Sequence, residues 1–343
     1  MRPEFRHWHP VLPSEALAGS PVPIRLLDRE IVLFRTKKGR VGALEDKCPH
    51  RRMRLSKGQV EGESIVCQYH GWRFAPDGGA QSPATPKLQA CAVHFEAVER
   101  HGAIWIRSPG ADTAFPPFDV AELTTVPIIT CEIDAPLGVV LDNFIEVEHT
   151  GTTHELLGYD PARMGEVETR VTTSQEAVRV FNVGPQKALP WYIRRVFRLS
   201  LDDEFIDEWE SFFSPVYSVY DHWWRDGKTK KRRPYLLRTY VFFNPIDADT
   251  TQLFVFSYAS HHWLMRIGLR RLFAWYTRAL VEREVRLDKD MIESLADKSE
   301  SLSGMNLSRF DRPLGEARKR IKSIYRRAVE AVYDVESQRR KSS

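Results

Sequence analysis

Long uncharged apolar runs are missing from this sequence. The most membrane-like stretch, His262 to Val281, is interrupted by Arg266, Arg270, Arg271 and Arg278. Guanidinium groups are costly in hydrocarbon, so the stretch reads as an amphipathic helix and no membrane span is expected. The start, Met1 to Trp8, has no apolar run of signal-peptide length, so the cytoplasm is the expected compartment. A strong charge of one sign is also lacking. Fifty Lys and Arg against 46 Asp and Glu leave a formal net charge of +4, which does not point to nucleic acid. Cysteine is scarce, and the four present, Cys48, Cys67, Cys91 and Cys131, do not read as a disulfide framework in a reducing compartment. Cys91 and Cys131 have no histidine beside them and read as small, buried or partly buried hydrophobes. No internal repeat, low-complexity tract, or nicotinamide or flavin fingerprint is found.

What is there is enough apolar material for two cores, 42% of 343 residues. From Ile24 to Ile106, short β-like runs (Ile31 to Phe34, Ser64 to Val66, Ala103 to Ile106) alternate with turn signals such as Pro76-Asp77-Gly78-Gly79. The stretch from Ser108 to Pro127, with Pro109, Pro116 and Pro117, has the composition of a connector. Domains over 1–115 and 116–343 are therefore expected, the first all-β. The second mixes a helix-like segment from Leu141 to Thr150 and aromatic-rich strands from Trp209 to Tyr258 with helices towards the end. Within it, a hairpin joins Tyr240–Phe243 to Leu253–Phe256 through a turn over Asn244–Thr250. Ile321, Ile324, Ala328 and Val332 keep helical spacing. The fold class is α+β.

Two Cys-His pairs carry the first chemistry. Cys48-Pro49-His50-Arg51 is followed by Cys67-Gln68-Tyr69-His70-Gly71-Trp72-Arg73-Phe74. Each half offers one thiolate and one imidazole. A [2Fe-2S] cluster with two cysteines on one iron and two histidines on the other needs that inventory. A tetrahedral zinc site could use the same four side chains, and unrelated core residues are the third reading. Zinc fingers usually place both cysteines in one hairpin and both histidines in a helix, so the mixed pairs favour the cluster. Pro49, Gly71 and Trp72 suit tight loops that cover it. His7 and His9 read as surface or turn histidines.

The pattern Cys-Pro-His-Arg with Cys-x-x-His-Gly-Trp-x-Phe resembles the cluster motif of Rieske-type non-haem iron oxygenases, the ring-hydroxylating oxygenase family. A second segment, Asn143-Phe144-Ile145-Glu146-Val147-Glu148-His149-Thr150-Gly151-Thr152-Thr153-His154, is similar to that family's mononuclear-iron segment. Glu146 and His149 stand one helical turn apart. His149 and His154 would lie about 140° apart on an unbroken helix. The poor helix formers between them end the helix near His149 and bring His154 round separately. A facial triad for Fe(II) needs two histidines and one carboxylate. The acid is sought in Val281 to Leu295, where Val281, Val285, Ile292 and Leu295 form an apolar stripe that contains Asp288. A carboxylate on an inner face calls for a partner, while Asp290, about 200° further round, should face solvent. Asp288 followed by Glu293 is similar to the family's C-terminal ligand helix.

The resemblance implies a Rieske domain followed by a catalytic domain of helix-grip type. Its cofactors would be a [2Fe-2S] cluster on Cys48, His50, Cys67 and His70 and a mononuclear Fe(II) on His149, His154 and Asp288. It also implies a homotrimeric oxygenase component fed from NAD(P)H by a separate reductase or ferredoxin. The expected reaction is O2-dependent hydroxylation or oxidative demethylation of an apolar, aromatic or polycyclic small molecule, with ring cis-dihydroxylation or bare electron transfer as alternatives. In that family an aspartate at the place of Glu146 links a cluster histidine of one subunit to an iron histidine of the next, and glutamate is one methylene longer. Asn143 is expected at a helix start or bonded behind a ligand. Aromatic residues between Trp209 and Tyr258, among them Phe212, Phe213, Tyr217, Trp223, Trp224, Phe242, Phe243, Phe254 and Phe256, supply the core and part of the substrate pocket. The basic run Lys228 to Arg233 reads as a solvated loop, with steering of an acidic redox partner as the sharper reading.

Overall fold

The computed structural model describes residues 2–260 and 268–327. Its first part is built from eleven short strands: β1 (His9–Pro13), β2 (Val22–Leu26), β3 (Arg29–Arg35), β4 (Val41–Glu45), β5 (Gln59–Glu61), β6 (Ser64–Val66), β7 (Arg73–Phe74), β8 (Gly79–Gln81), β9 (Ala90–Cys91), β10 (His94–Arg100) and β11 (Ala103–Arg107). Two sheets result, one in the order β1-β11-β10-β4-β3-β2 and one running β5 to β9 in sequence. The smaller sheet is an insertion between β4 and β10, and the two Cys-His segments are loops of this region. Val32, Phe34, Leu44, Ile65 and Phe74 pack with Cys48 and Cys67 beneath them.

The second part contains β12 (Thr124–Thr125), β13 (Ile129–Ile133), α1 (Leu137–Phe144), β14 (Glu168–Thr173), β15 (Ala177–Pro185), α2 (Trp191–Phe197), β16 (Glu204–Phe213), β17 (Val216–Arg225), β18 (Arg232–Pro245), β19 (Thr251–Ala259), α3 (Arg270–Glu293) and α4 (Arg312–Arg320). One antiparallel sheet runs β12-β19-β18-β17-β16-β15-β14, with β13 also paired to β19. The α+β class expected from the sequence is the one observed. The hairpin of β18 and β19 pairs Phe242 with Phe254, although its strands extend beyond the expected limits. β14 and β15 carry little strand signal in the sequence, because exposed polar residues such as Glu168, Arg170 and Arg179 mask their alternation.

Strand alternation explains where the aromatic side chains go. Tyr240 and Phe242 on β18, and Phe254, Phe256 and Tyr258 on β19, lie on one face of the sheet and join Trp8 and Trp105 in a core shared with the first part. Trp105 is fully buried, with its ring 4.9 Å from Phe242 and 5.6 Å from Phe256. Val241, Phe243, Leu253 and Val255 lie on the opposite face, in the core that also takes α1, α3 and α4. Because period-2 residues part to opposite faces, most of the aromatic run joins the two parts of the molecule and does not reach the cleft described below.

Several local expectations are corrected. His7 and His9 are buried, not surface histidines, because both ring nitrogens of each find partners inside: His7 meets Ser214 Oγ at 2.8 Å and Tyr325 O at 3.2 Å, and His9 meets Asn244 Oδ1 at 3.1 Å and Glu4 O at 3.0 Å. Cys91 is exposed, on an edge strand. The helix expected over 141–150 starts at Leu137 and stops at Phe144, so Glu146 is not helical. Leu295 is exposed because α3 has already ended at Glu293. In the basic run, Arg233 pairs with buried Asp203 at 2.6 Å and Lys230 with Glu204 at 2.9 Å, while Arg232 lies over the Trp223 ring. Residues 262–267 of the amphipathic stretch, and Ala328 and Val332, lie outside the described residues. Among the described residues no helix is long and apolar enough to cross a membrane.

Candidate metal centres

The loop between β4 and β5 carries Cys48 and His50, and the loop between β6 and β7 carries Cys67 and His70. Both follow one backbone plan. In the first, the Cys48 N–H donates to Met53 O and the Arg52 N–H to Cys48 O, each at 2.8 Å; in the second, the Cys67 N–H donates to Trp72 O at 2.8 Å and the Gly71 N–H to Cys67 O at 3.0 Å. The residue four after each cysteine is left-handed, Arg52 at φ 62° and Gly71 at φ 70°. Glycine takes this conformation freely, whereas arginine is held there by the loop. Each loop thus sends its thiol inward and its imidazole out. Cys48 and Cys67 are each 2% exposed, while His50 and His70 are exposed. The two rings approach to 4.5 Å, and Trp72 stacks on His50 at 5.0 Å.

Burial pushes the Cys48 thiol up, as does neighbouring Cys67, against the pull of the His50 and Arg51 backbone N–H groups. Buried paired thiols flanked by backbone donors suit metal-bound thiolates. The four side chains form a buried sulfur pair and an outer imidazole pair. Among the described residues, only His149, His154 and Asp288 bring three possible donors within 4.8 Å of one another. A sulfur pair beside an imidazole pair fits a cluster whose two irons take unlike ligands.

The second centre is assembled from three elements. Asp288 faces inward from α3 and is 4% exposed, in a stripe with Val281, Val285 and Ile292. His149 opens a short 3-10 turn, His149–Gly151, after α1 has ended, and His154 follows in the loop beyond. Asp288 Oδ1 lies 2.9 Å from His154 Nε2 and 3.2 Å from His149 Nε2, and accepts from Asn143 Nδ2 at 3.0 Å. The two rings stand 4.9 Å apart and nearly perpendicular. Glu146 bonds His149 Nδ1 through one carboxylate oxygen, and its other oxygen accepts from the His149 backbone N–H at 3.4 Å. His154 Nδ1 donates to Leu157 O at 2.9 Å. Both outer nitrogens are thus occupied and both Nε2 atoms point to Asp288, an orientation suited to ligation. Asn143 sits near the end of α1, not at a helix start. Glu293 is outside the centre, bonding the Asp134 N–H at 2.9 Å and Lys289 at 2.8 Å.

The electrostatics favour positive charge at this point. Burial opposes a charged His149, but its bonds to Asp288 and Glu146 outweigh burial and push the imidazole up to about 10. Burial raises Asp288, yet His154 and His149 hold its carboxyl well below the usual range. Two imidazoles and a carboxylate, dry and convergent, fit a divalent iron with open positions.

Sequence reasoning missed Glu284, Asp207, His222 and Lys187. Glu284 is one turn before Asp288 on the same face of α3, is 4% exposed and accepts from the Leu156 N–H at 3.1 Å. The stripe argument that picked Asp288 applies equally to it. Asp207 falls between Phe205 and Trp209 on the inward face of β16, which was the available signal. Lys187 gave none, since it acts on backbone: its ammonium donates to Gly151 O at 3.1 Å and to His154 O, fixing the ligand loop. A cleft opens beside the triad, lined also by Trp209, Tyr220, Val241 and Val255. Of the aromatic residues expected there, Trp224 lines an adjoining chamber.

Comparison with known proteins agrees. Residues 7–95 match the Rieske [2Fe-2S] domain. The chain is 36% identical over 160 residues to the oxygenase subunit of tert-butanol monooxygenase/tert-amyl alcohol desaturase from Aquincola tertiaricarbonis, covering 43% of this chain and 34% of that protein. It is 32% identical over 177 residues to the oxygenase subunit of phthalate 4,5-dioxygenase from Pseudomonas putida, covering 48% and 40%. The match thus spans well under half the length of these curated relatives. Dicamba monooxygenase bound to dicamba superposes with a TM-score of 0.77 at 18% identity over 95% of this chain and 98% of that one. The chain carries a Rieske [2Fe-2S] domain and has the fold of the Rieske-type non-haem iron oxygenases.

Proposed function

We propose that this protein is the oxygenase component of a multicomponent Rieske oxygenase that hydroxylates or oxidatively demethylates an apolar small molecule. The observation that carries the reading is the convergence of His149, His154 and Asp288 beside a largely apolar cleft, in a chain that also bears a Rieske domain. In this reading residues 1–115 hold the cluster through Cys48, His50, Cys67 and His70, and residues 116–343 hold the mononuclear iron through the triad. Bound together, the two centres supply stored electrons and activation of O2. The chain's own part is positional. Asn143 fixes the Asp288 carboxylate, Leu157 O and Glu146 set the two imidazole tautomers, and Lys187 holds the loop between them. The apolar walls keep water from the reacting carbon.

Exposed His50 and His70 suit receipt of electrons from a separate ferredoxin or reductase. As in the family it resembles, a homotrimer would let Glu146 join His149 to a cluster histidine of the neighbouring protomer. Glu146 already makes the near half of that bridge within its own chain.

Metal and acid-labile sulfide analysis with electron paramagnetic resonance tests the reading. The expected result is a Rieske signal plus one further iron per chain; zinc without sulfide would overturn it. His149→Ala and Asp288→Ala should keep the cluster signal while losing the additional iron and all product. Turnover retained in either variant would remove the triad assignment. Glu146→Gln should leave cluster reduction unchanged and slow product formation by roughly 10- to 100-fold, the usual cost of losing an outer partner of a ligand.

A further inference from the structure

The outward sides of two helices are unlike the surface around them. Along α3 the exposed positions recur every three or four residues and read Leu272, Trp275 and Ala279 before Arg283, Arg286 and Asp290. One stripe is thus apolar over its first half and ionic over its second, where Arg286 pairs with Glu282 at 2.8 Å. A helix face turned to water is ordinarily polar throughout. On α2, Trp191 and Tyr192 stand outward beside Arg195 and Arg198. Trp191 is 72% exposed and Trp275 63%. The inner sides of the same helices wall the chamber that adjoins the triad cleft, through Ile193 and Phe197 on α2 and Phe273, Thr277 and Leu280 on α3. The Phe197 and Phe273 rings lie 6.4 Å apart. Burial, and then nearby Tyr192 on α2, pushes the Tyr276 phenol on α3 up. The two outward faces therefore border one aromatic patch, and exposed apolar surface of this kind marks an interaction site.

Charge narrows the partner. No Asp or Glu occurs from Asn182 to Leu201 or from Ser260 to Val281. Arg195, Arg198, Arg270 and Arg271 are exposed. Among the described residues none of these four has a carboxylate partner, whereas Arg225, Arg233 and Arg238 on the sheet each have one. The patch is cationic as well as aromatic. A two-fold contact with a second copy would set these arginines against one another. An anionic lipid surface answers both features, with phosphates for the guanidinium groups and a headgroup layer for the Trp and Tyr rings.

We propose that this face docks on an anionic lipid surface. Trp191, Tyr192, Leu272 and Trp275 enter the headgroup layer, and Arg195, Arg198, Arg270 and Arg271 meet lipid phosphates. This is attachment and not a span, as the arginines require. Docked in this way, the protein holds the apolar chamber behind α2 and α3 beneath the lipid. None of these eight side chains belongs to the cluster loops or to the lining of the triad cleft.

Vesicle flotation of the metal-loaded full chain tests this without turnover. The probes are vesicles of phosphatidylcholine alone and of phosphatidylcholine with an equal amount of phosphatidylglycerol. The full chain should bind the anionic vesicles at least about tenfold more tightly than the neutral ones, and the lead should shrink as salt rises. Trp191→Ser combined with Trp275→Ser should weaken anionic binding by about tenfold or more, with the Rieske spectrum and the circular dichroism unchanged. Arg195→Glu combined with Arg271→Glu should do the same. Arg286→Gln, on the ionic half of the same stripe, should change it by less than about twofold. Equal binding to both kinds of vesicle, binding to neither, or anionic binding that both double variants leave unchanged overturns the proposal. It also fails if ultracentrifugation without lipid shows an assembly that the double tryptophan variant dissociates, since the face would then join copies of this chain. If one double variant does not fold, the other and the wild-type comparison decide.

Discussion

At the scale of single residues, burial decides which titrations matter. His7 is 1% exposed; burial first, then neighbouring His9, depress its pKa from 6.5 to about 4. A histidine whose folded pKa is lowered binds its proton more readily in the unfolded chain. The stability it confers is therefore fully present above pH 6.5, falls as pH drops from 6.5 towards 4, and is gone below that. The slope contributed in this window is at most about 1.4 kcal/mol per pH unit. Urea unfolding at pH 7.0 and 4.5 should show His7→Gln losing less stability between the two than wild type; equal losses would remove the assignment. His7 was read from sequence as a surface residue because nothing in its neighbours foretells Ser214 and Tyr325, both more than 200 positions away. Asp288, by contrast, was legible, since helical spacing alone put an acid among Val281, Val285 and Ile292.

At the scale of elements, the ligand loop between α1 and β14 is held by contacts that leave little space. A Cβ on Gly158 would stand 2.5 Å from Thr150 O, a backbone atom next to His149. Relief would require the loop to move, so Gly158→Ala should weaken iron binding at the triad while sparing the cluster. Iron retained at wild-type stoichiometry against a chelator series would show that the loop yields more easily. The spacing of His149 and His154 correctly indicated a break in the helix, but placed it too late. The chain leaves α1 at Phe144, and Glu146 meets His149 across an irregular segment. Turn chemistry signals that a helix ends somewhere; the contacts of Asn143 with α3 and of Tyr220 with Phe144 O fix where.

At the scale of the molecule, one sheet serves two purposes, its outer face joining the Rieske part and its inner face walling the cleft. Trp105 is the centre of the joint, so Trp105→Ala should cost about 3–5 kcal/mol by leaving a cavity among Phe115, Phe242 and Phe256. Thermal unfolding followed by both cluster absorbance and far-ultraviolet circular dichroism would measure it; a loss under 1 kcal/mol would mean the joint contributes little. The order of residues carried residue type and local spacing by itself: the Cys-His loops, the pair His149 and His154, the inward acid on α3 and the β18–β19 hairpin. These depend on bonds between near neighbours and on the periods of helix and strand. Which face of the sheet each aromatic served, how deep His7 and His9 lie, that Glu284 and Asp207 meet at one cleft, and that Lys187 reaches the carbonyls of Gly151 and His154 were decided only by tertiary packing. Such contacts join residues far apart in the chain, where no local period can record them.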